Sequence, residues 1–223
     1  MDAREFSKAS EALATTFGFD ASHDEVSISA RFLTENREAS VALLRAALKE
    51  PRFDEAAIER VRGQVRSIIQ SDAKNPNDIA SETFNAMAYG DHPYAHSING
   101  TLESVAALTR DDLIAAHAAV FAHDRIYVGA VGDITPEELG ALMDELLGDL
   151  PATGAPMPPR ADVNIPAGVT VVDFATPQSV ALFGQRGIAQ DDPDFFAATI
   201  LNHVLGGGSF ESRLMNEVRE KRG

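Results

Sequence analysis

Six histidines, His23, His92, His96, His117, His123 and His203, carry the widest chemical range in this chain, because imidazole can bind a metal or move a proton near neutral pH. A hydrolytic zinc site needs two histidines on one helical face, a carboxylate to activate water and a third ligand, and neither H-E-x-x-H nor H-x-x-E-H occurs. The one close pair, His92 and His96 in Asp91-His92-Pro93-Tyr94-Ala95-His96, falls in a proline-bearing loop, where local hydrogen bonds are the expectation. The absence of cysteine excludes disulfides, thiolate nucleophiles and Cys-bearing zinc sites. Serines are present without G-x-S-x-G. The run Gly206, Gly207, Gly208, Ser209 precedes a helix and could cradle an anion, but G-x-x-x-x-G-K-[ST] is missing. The expected role is structural, with the glycines ending one helix in a left-handed conformation and Ser209 capping the next. Arg213 and Arg219 lie six residues apart on that last helix, about 120° round an α-helical axis.

The elements that must position these residues are read from periodicity. Residues 2–16 place Phe6, Ala9 and Leu13 near one helical face. Residues 25–33 alternate, with Val26, Ile28, Ala30 and Phe32 on one side, which predicts a half-buried strand; Phe17 to Ser22 is its hairpin partner, turning at His23-Asp24. Helices follow. Thr34 is expected to cap one bearing Val41, Leu44 and Leu48, and Asp54 one with the stripe Ile58, Val61, Val65 and Ile68. Asn75-Pro76 opens a third, and Thr101 and Thr109 open two more. A strand is predicted over 125–131, followed by a capping box at Thr135 to Glu138 and a helix to Leu147. Val169–Phe174 and Ser179–Phe183 read as strands, 192–205 as a helix opened by Asp-Pro, and 210–222 as the last helix.

Residues 151–168 hold five of the eleven prolines and no apolar period, so they are expected to be an ordered, extended linker between two units, 1–150 and 169–223. Strands followed by helices in each unit predict an α+β fold, an antiparallel sheet covered by helices. The 223 residues, 44% hydrophobic, suffice for a core. The net charge of −15 repels phosphates, which argues against nucleic acid or an anionic membrane as a partner. No run approaches a membrane helix in length, and the N-terminal residues show no apolar leader.

One segment, LNHVLGGGSFESRLMNEVREKRG at 201–223, resembles the second domain of the pitrilysin or insulinase family of zinc peptidases, whose helix there reads approximately SRL…LREK-G-L-x-Y. Glu50-Pro51-Arg52-Phe53-Asp54, Asn75-Pro76-Asn77-Asp78, His92-Pro93-Tyr94, Ile98-Asn99-Gly100-Thr101, Leu108 to Leu113 and Val131-Gly132-Asp133-Ile134 follow the family's first domain in order, so the likeness covers essentially the whole chain.

The resemblance implies a metallohydrolase fold like that of LuxS and the mitochondrial processing peptidase. It also implies that 1–150 is a partial first domain lacking its first strands and zinc-motif helix, and that 169–223 is the start of a second domain cut inside a helix. The family's third zinc ligand is a glutamate in a segment similar to G-V-V-L-E-E-I, which aligns with 63–69 and puts Ile68 at the glutamate's place. Isoleucine offers zinc no lone pair. The chain therefore resembles the inactive members that pair with a zinc-bearing subunit. The implied function is to bind and position peptide for that partner, with zinc expected only in the partner and no cofactor in this chain. The arginine of the family's L-R-E-K maps to Arg219, a fork of donors suited to a peptide carbonyl; the tyrosine that accompanies it falls past Gly223. A scaffold subunit and a piece of an active zinc peptidase are the alternatives. By resemblance the location is the bacterial periplasm, otherwise the cytoplasm.

Overall fold

The computed structural model describes residues 1–207 and 211–222. Helix α1, Ala3–Ala12, starts at Asp2, whose carboxylate accepts from the amides of Arg4 and Glu5 while Glu5 answers to the Asp2 amide. Strands β1, Thr16–Ala21, and β2, Val26–Arg31, form an antiparallel hairpin in which Phe17 faces Ala30 and Phe19 faces Ile28. Its turn spans Ser22 to Glu25, as the sequence predicts. Five helices follow: α2, Arg37–Lys49; α3, Glu55–Asp72; α4, Pro76–Tyr89; α5, Leu102–Ala107; and α6, Arg110–Val120. Then come α7, Pro136–Leu147, and α8, Phe195–Asn202. The fold is α+β and dominated by helices, with a two-stranded antiparallel sheet among the described residues.

The core forms where the hairpin lies on α2 and α7. Val41, Leu44 and Leu146 are buried, and Phe17, Ile28 and Phe32 pack against them from the hairpin side with Leu142 and Met143 from α7. Removing these side chains from water is the main force holding the hairpin down, since an isolated two-stranded sheet is marginal. A second tie is polar: Thr15 Oγ1 and Ser40 Oγ, both buried, share a 2.6 Å hydrogen bond that fixes the start of β1 against α2. Between α2 and α7, Lys49 pairs with Asp149 at 2.5 Å, Arg37 with Glu138 at 3.3 Å and Arg45 with Glu145 at 3.6 Å. Pairs this exposed set alignment more than stability.

The helix starts at Asn75, Thr101, Thr109 and Thr135 stand where capping chemistry places them, the three threonines each in a reciprocal box. Two caps differ from expectation. Thr34 opens a 3-10 turn, Thr34–Asn36, and α2 begins at Arg37, because the Asn36 amide is turned to the Leu13 carbonyl at 2.9 Å. Asp54 precedes α3 but gives its carboxylate to Arg52 instead of the helix amides. On α3 the stripe is only partly covered, with Val61 and Ile68 exposed.

The predicted strands at 125–131, 169–174 and 179–183 are not found. A 3-10 turn, His123–Arg125, takes the start of the first, and the rest has no ladder partner among the described residues. Alternation tells which face of a strand is apolar, but a strand exists only when a neighbour accepts its backbone hydrogen bonds. Residues 151–168 contain no helix or strand. Part of that segment is strapped to the preceding residues: His123 N donates to Pro151 O at 3.0 Å, Arg125 to Ala155 O at 2.8 Å, and Asn164 N to Ala88 O at 2.9 Å. Helix α8 starts three residues later than Asp192, whose carboxylate instead accepts from Asp194 N.

Candidate functional site

Ile68 lies in the last turns of α3, a helix with no fully buried residue, and its side chain is 45% exposed. Its neighbour Ser67 turns its hydroxyl back to the Gly63 carbonyl at 3.0 Å. A hydrocarbon here supplies no donor for zinc, and among the described residues no group of three His, Asp or Glu side chains could hold a metal ion.

Three of the histidine rings hydrogen-bond to local carbonyls. His23 Nε2 is 2.9 Å from the His96 carbonyl, His92 Nε2 2.9 Å from the Pro159 carbonyl, and His123 Nε2 2.8 Å from the Leu147 carbonyl at the end of α7. His117 meets the Phe53 ring edge-on at 6.0 Å and the Phe121 ring at a tilt at 4.9 Å. His203 begins a π-helical turn, His203–Gly207.

That turn corrects the glycine reading at Gly206 and Gly207, which are helical and not left-handed. Their use is close approach: a β-carbon on Gly206 would stand 2.8 Å from Leu214 Cδ1, and one on Gly207 2.8 Å from Asn202 Nδ2. Gly208 and Ser209, with the cap expected of them, lie outside the described residues.

Arg219 is exposed on a second π-helical turn, Met215–Glu220, beside the Lys221–Glu217 pair at 2.6 Å. The 120° offset from Arg213 assumed an α-helix; π-helical winding with i→i+5 bonds changes that angle.

Two features escaped sequence reasoning. The first is the outer edge of the hairpin: with two strands in the sheet, β1 and β2 each present one edge to which no other described strand is bonded. The second is an aromatic and polar cluster at the hairpin tip. There Tyr94 O–H donates to Asp24 Oδ1 at 2.5 Å, which holds the phenol above its ordinary range because the bond favours the protonated form. His92-Pro93-Tyr94 was visible as a family motif, but its contact with residue 24 is set by tertiary packing. A groove of about 450 Å³ lies elsewhere, between the starts of α1 and α3, walled by Phe6, Phe53, Ile58, Val61 and Leu113. Its rim carries Asp2, Glu50 and Arg52, with no histidine or serine in the lining.

Residues 1–102 match the family described as insulinase (peptidase family M16), and residues 107–223 match the peptidase M16 inactive domain. A Helicobacter pylori protein named as the non-peptidase homolog YmxG is 27% identical over 98% of this chain and 50% of its own length. A Mycobacterium leprae protein named as an uncharacterized zinc protease is 30% identical over 87% of this chain and 44% of its own. The mitochondrial-processing peptidase subunit beta of Neurospora crassa is 24% identical over 79% of this chain and 38% of its own. The crystal structure of a peptidase M16 inactive domain from Pseudomonas fluorescens superposes with a TM-score of 0.81 at 30% identity, covering 100% of this chain and 55% of that one. The chain thus spans about half the length of the curated relatives it matches. With both halves of its length matched, and with a solved inactive domain sharing its fold, the chain belongs to the insulinase family of peptidases, family M16.

Proposed function

We propose that this chain is a non-catalytic part of an M16-type peptidase assembly and holds extended peptide for a zinc-bearing partner subunit. One observation carries the non-catalytic half of the reading: an exposed isoleucine, Ile68, on α3, at the place where the family resemblance expects the third zinc ligand. The match of residues 107–223 to an inactive domain and the name of the Helicobacter relative support it. The kinship to a mitochondrial-processing peptidase subunit supports a partner.

Peptide holding is supported by the outer edge of β1, where backbone groups can add an extended chain as a further strand. Arg219 is the second contact in this proposal. Arg219 is exposed on a π-helical turn, and a guanidinium carries several N–H donors in one plane, a geometry suited to peptide carbonyls. In the same proposal, residues 1–150 and 169–223 form the two units, 151–168 joins them, and the bacterial periplasm is the compartment.

The test is fluorescence anisotropy with a labelled extended peptide and its all-proline counterpart. The proposal expects the extended peptide to bind, the proline peptide not to bind, and Arg219→Ala to weaken binding by roughly tenfold, as loss of a charge-assisted hydrogen bond implies. Equal binding of both peptides would sink it. A second reading, part of an active zinc peptidase, is favoured by the 30% identity to a protein named as a zinc protease. Stoichiometric zinc in the whole gene product would select it.

A further inference from the structure

The loop that follows α4 meets the tip of the hairpin and the segment beyond α7 at one place. Tyr94 O–H donates to Asp24 Oδ1 at 2.5 Å, and His23 Nε2 lies 2.9 Å from the carbonyl of His96. A carbonyl only accepts, so His23 carries its proton on Nε2. The rings of His23, Tyr89 and His92 meet the Tyr94 ring edge-on with centroids at 5.6, 5.4 and 4.5 Å. His92 faces two ways. Its Nδ1 accepts from Tyr94 N–H at 3.2 Å and its Nε2 donates to the Pro159 carbonyl at 2.9 Å. Three stretches far apart in sequence thus share one contact centre: the hairpin tip, the loop 92–96 and the segment around Pro159.

We propose that Tyr94 is a positioning residue for the hairpin, fixing the direction of the β1 edge and, through His92, linking it to the segment 151–164. The proposal rests on the reading that this edge holds peptide. The base of the hairpin is pinned by Phe17, Ile28 and Phe32 in the core, whereas the residues from Asp20 to Val26 are exposed and none of them joins that core cluster. A two-stranded ribbon held at one end swings about that end. The Tyr94–Asp24 and His23–His96 bonds hold the other end, so the strand edge keeps one orientation. The segment 151–164 is in turn fastened at Pro151, Ala155, Pro159 and Asn164, so displacement at His92 is passed to a strap instead of being lost in loose chain.

Amide hydrogen exchange on the 223-residue chain, read by mass spectrometry, tests this. Tyr94→Phe and Asp24→Ala are expected to raise exchange in Thr16–Arg31 on the order of three- to tenfold, the factor one such hydrogen bond carries, and their combination to match either alone. Asp24→Asn keeps an acceptor oxygen and is expected to stay near wild type. His92→Ala is expected to raise exchange in both the hairpin and 151–164, while the exposed Tyr127→Phe changes neither. A rise confined to 92–96 in Tyr94→Phe, or Asp24→Asn behaving like Asp24→Ala, overturns the proposal. Peptide binding separates this inference from the reading beneath it. If exchange responds as expected but wild type binds no extended peptide, the coupling stands and the assignment of the β1 edge falls. If wild type binds and Tyr94→Phe binds equally well, the positioning role falls.

Discussion

Replacing Ser40 by alanine should cost more than its size suggests. Ser40 is fully buried and its hydroxyl has one partner, the Thr15 hydroxyl at 2.6 Å, itself 7% exposed. Removing one hydroxyl strands the other away from water, a penalty of about 1–3 kcal/mol, whereas removing both leaves apolar contact and only the loss of a net bond worth about 1 kcal/mol. Ser40→Ala is therefore expected to destabilise by about 1–3 kcal/mol, Thr15→Val by a similar amount, and the double variant by less than the sum of the two. Urea unfolding followed by circular dichroism measures all four corners of the cycle, with a common slope marking equal exposure of surface. Additive losses in the double variant would refute the reasoning, because they would show that the two hydroxyls do not depend on each other.

Three further outcomes are expected. Leu146→Ala, at the only buried residue of α7, should cost about 2–5 kcal/mol and release the hairpin with the helix, seen as a lowered unfolding midpoint and faster exchange in Thr16–Arg31. Gly18→Ala places a β-carbon 2.6 Å from Ser29 Oγ across the hairpin, so it should destabilise, and Ser29→Ala added to it should recover most of the loss in the same unfolding assay. Acid should loosen α6 and α7 before it reaches the core. The carboxyls of Asp112, Glu138 and Asp149 are held below their ordinary range by hydrogen bonds from Thr109, from the Thr135 amide with Arg37, and from Lys49 respectively. A group depressed in the folded state contributes stability above its unfolded value, near pH 4, and loses it as pH falls through the depressed value, so unfolding midpoints should be flat from neutral pH to about 5 and decline below.

Local chemistry was legible in the sequence and long-range pairing was not. Thr101, Thr109 and Thr135 announce helix starts because a capping box is closed within four residues, and the hairpin is legible because its two strands are adjacent. The segments at 125–131, 169–174 and 179–183 are strand-like in composition, yet whether such a segment becomes a strand depends on a distant neighbour, and none is bonded to them among the described residues. Ile58, Val61, Val65 and Ile68 show the same limit on α3, where the stripe is real and Val61 and Ile68 remain exposed. The Tyr94–Asp24 contact spans 70 positions, and the motif around His92 gave no hint of its partner.

Zinc content of the purified whole gene product, after equilibration with excess zinc and exhaustive dialysis, tests the central claim most directly, with Ile68→Glu measured beside it. The account predicts that the wild-type protein retains far less than one equivalent, because the side chain at position 68 has no lone pair to give. Retention of one tightly held equivalent by the wild type, together with cleavage of a peptide by the protein alone, would contradict it.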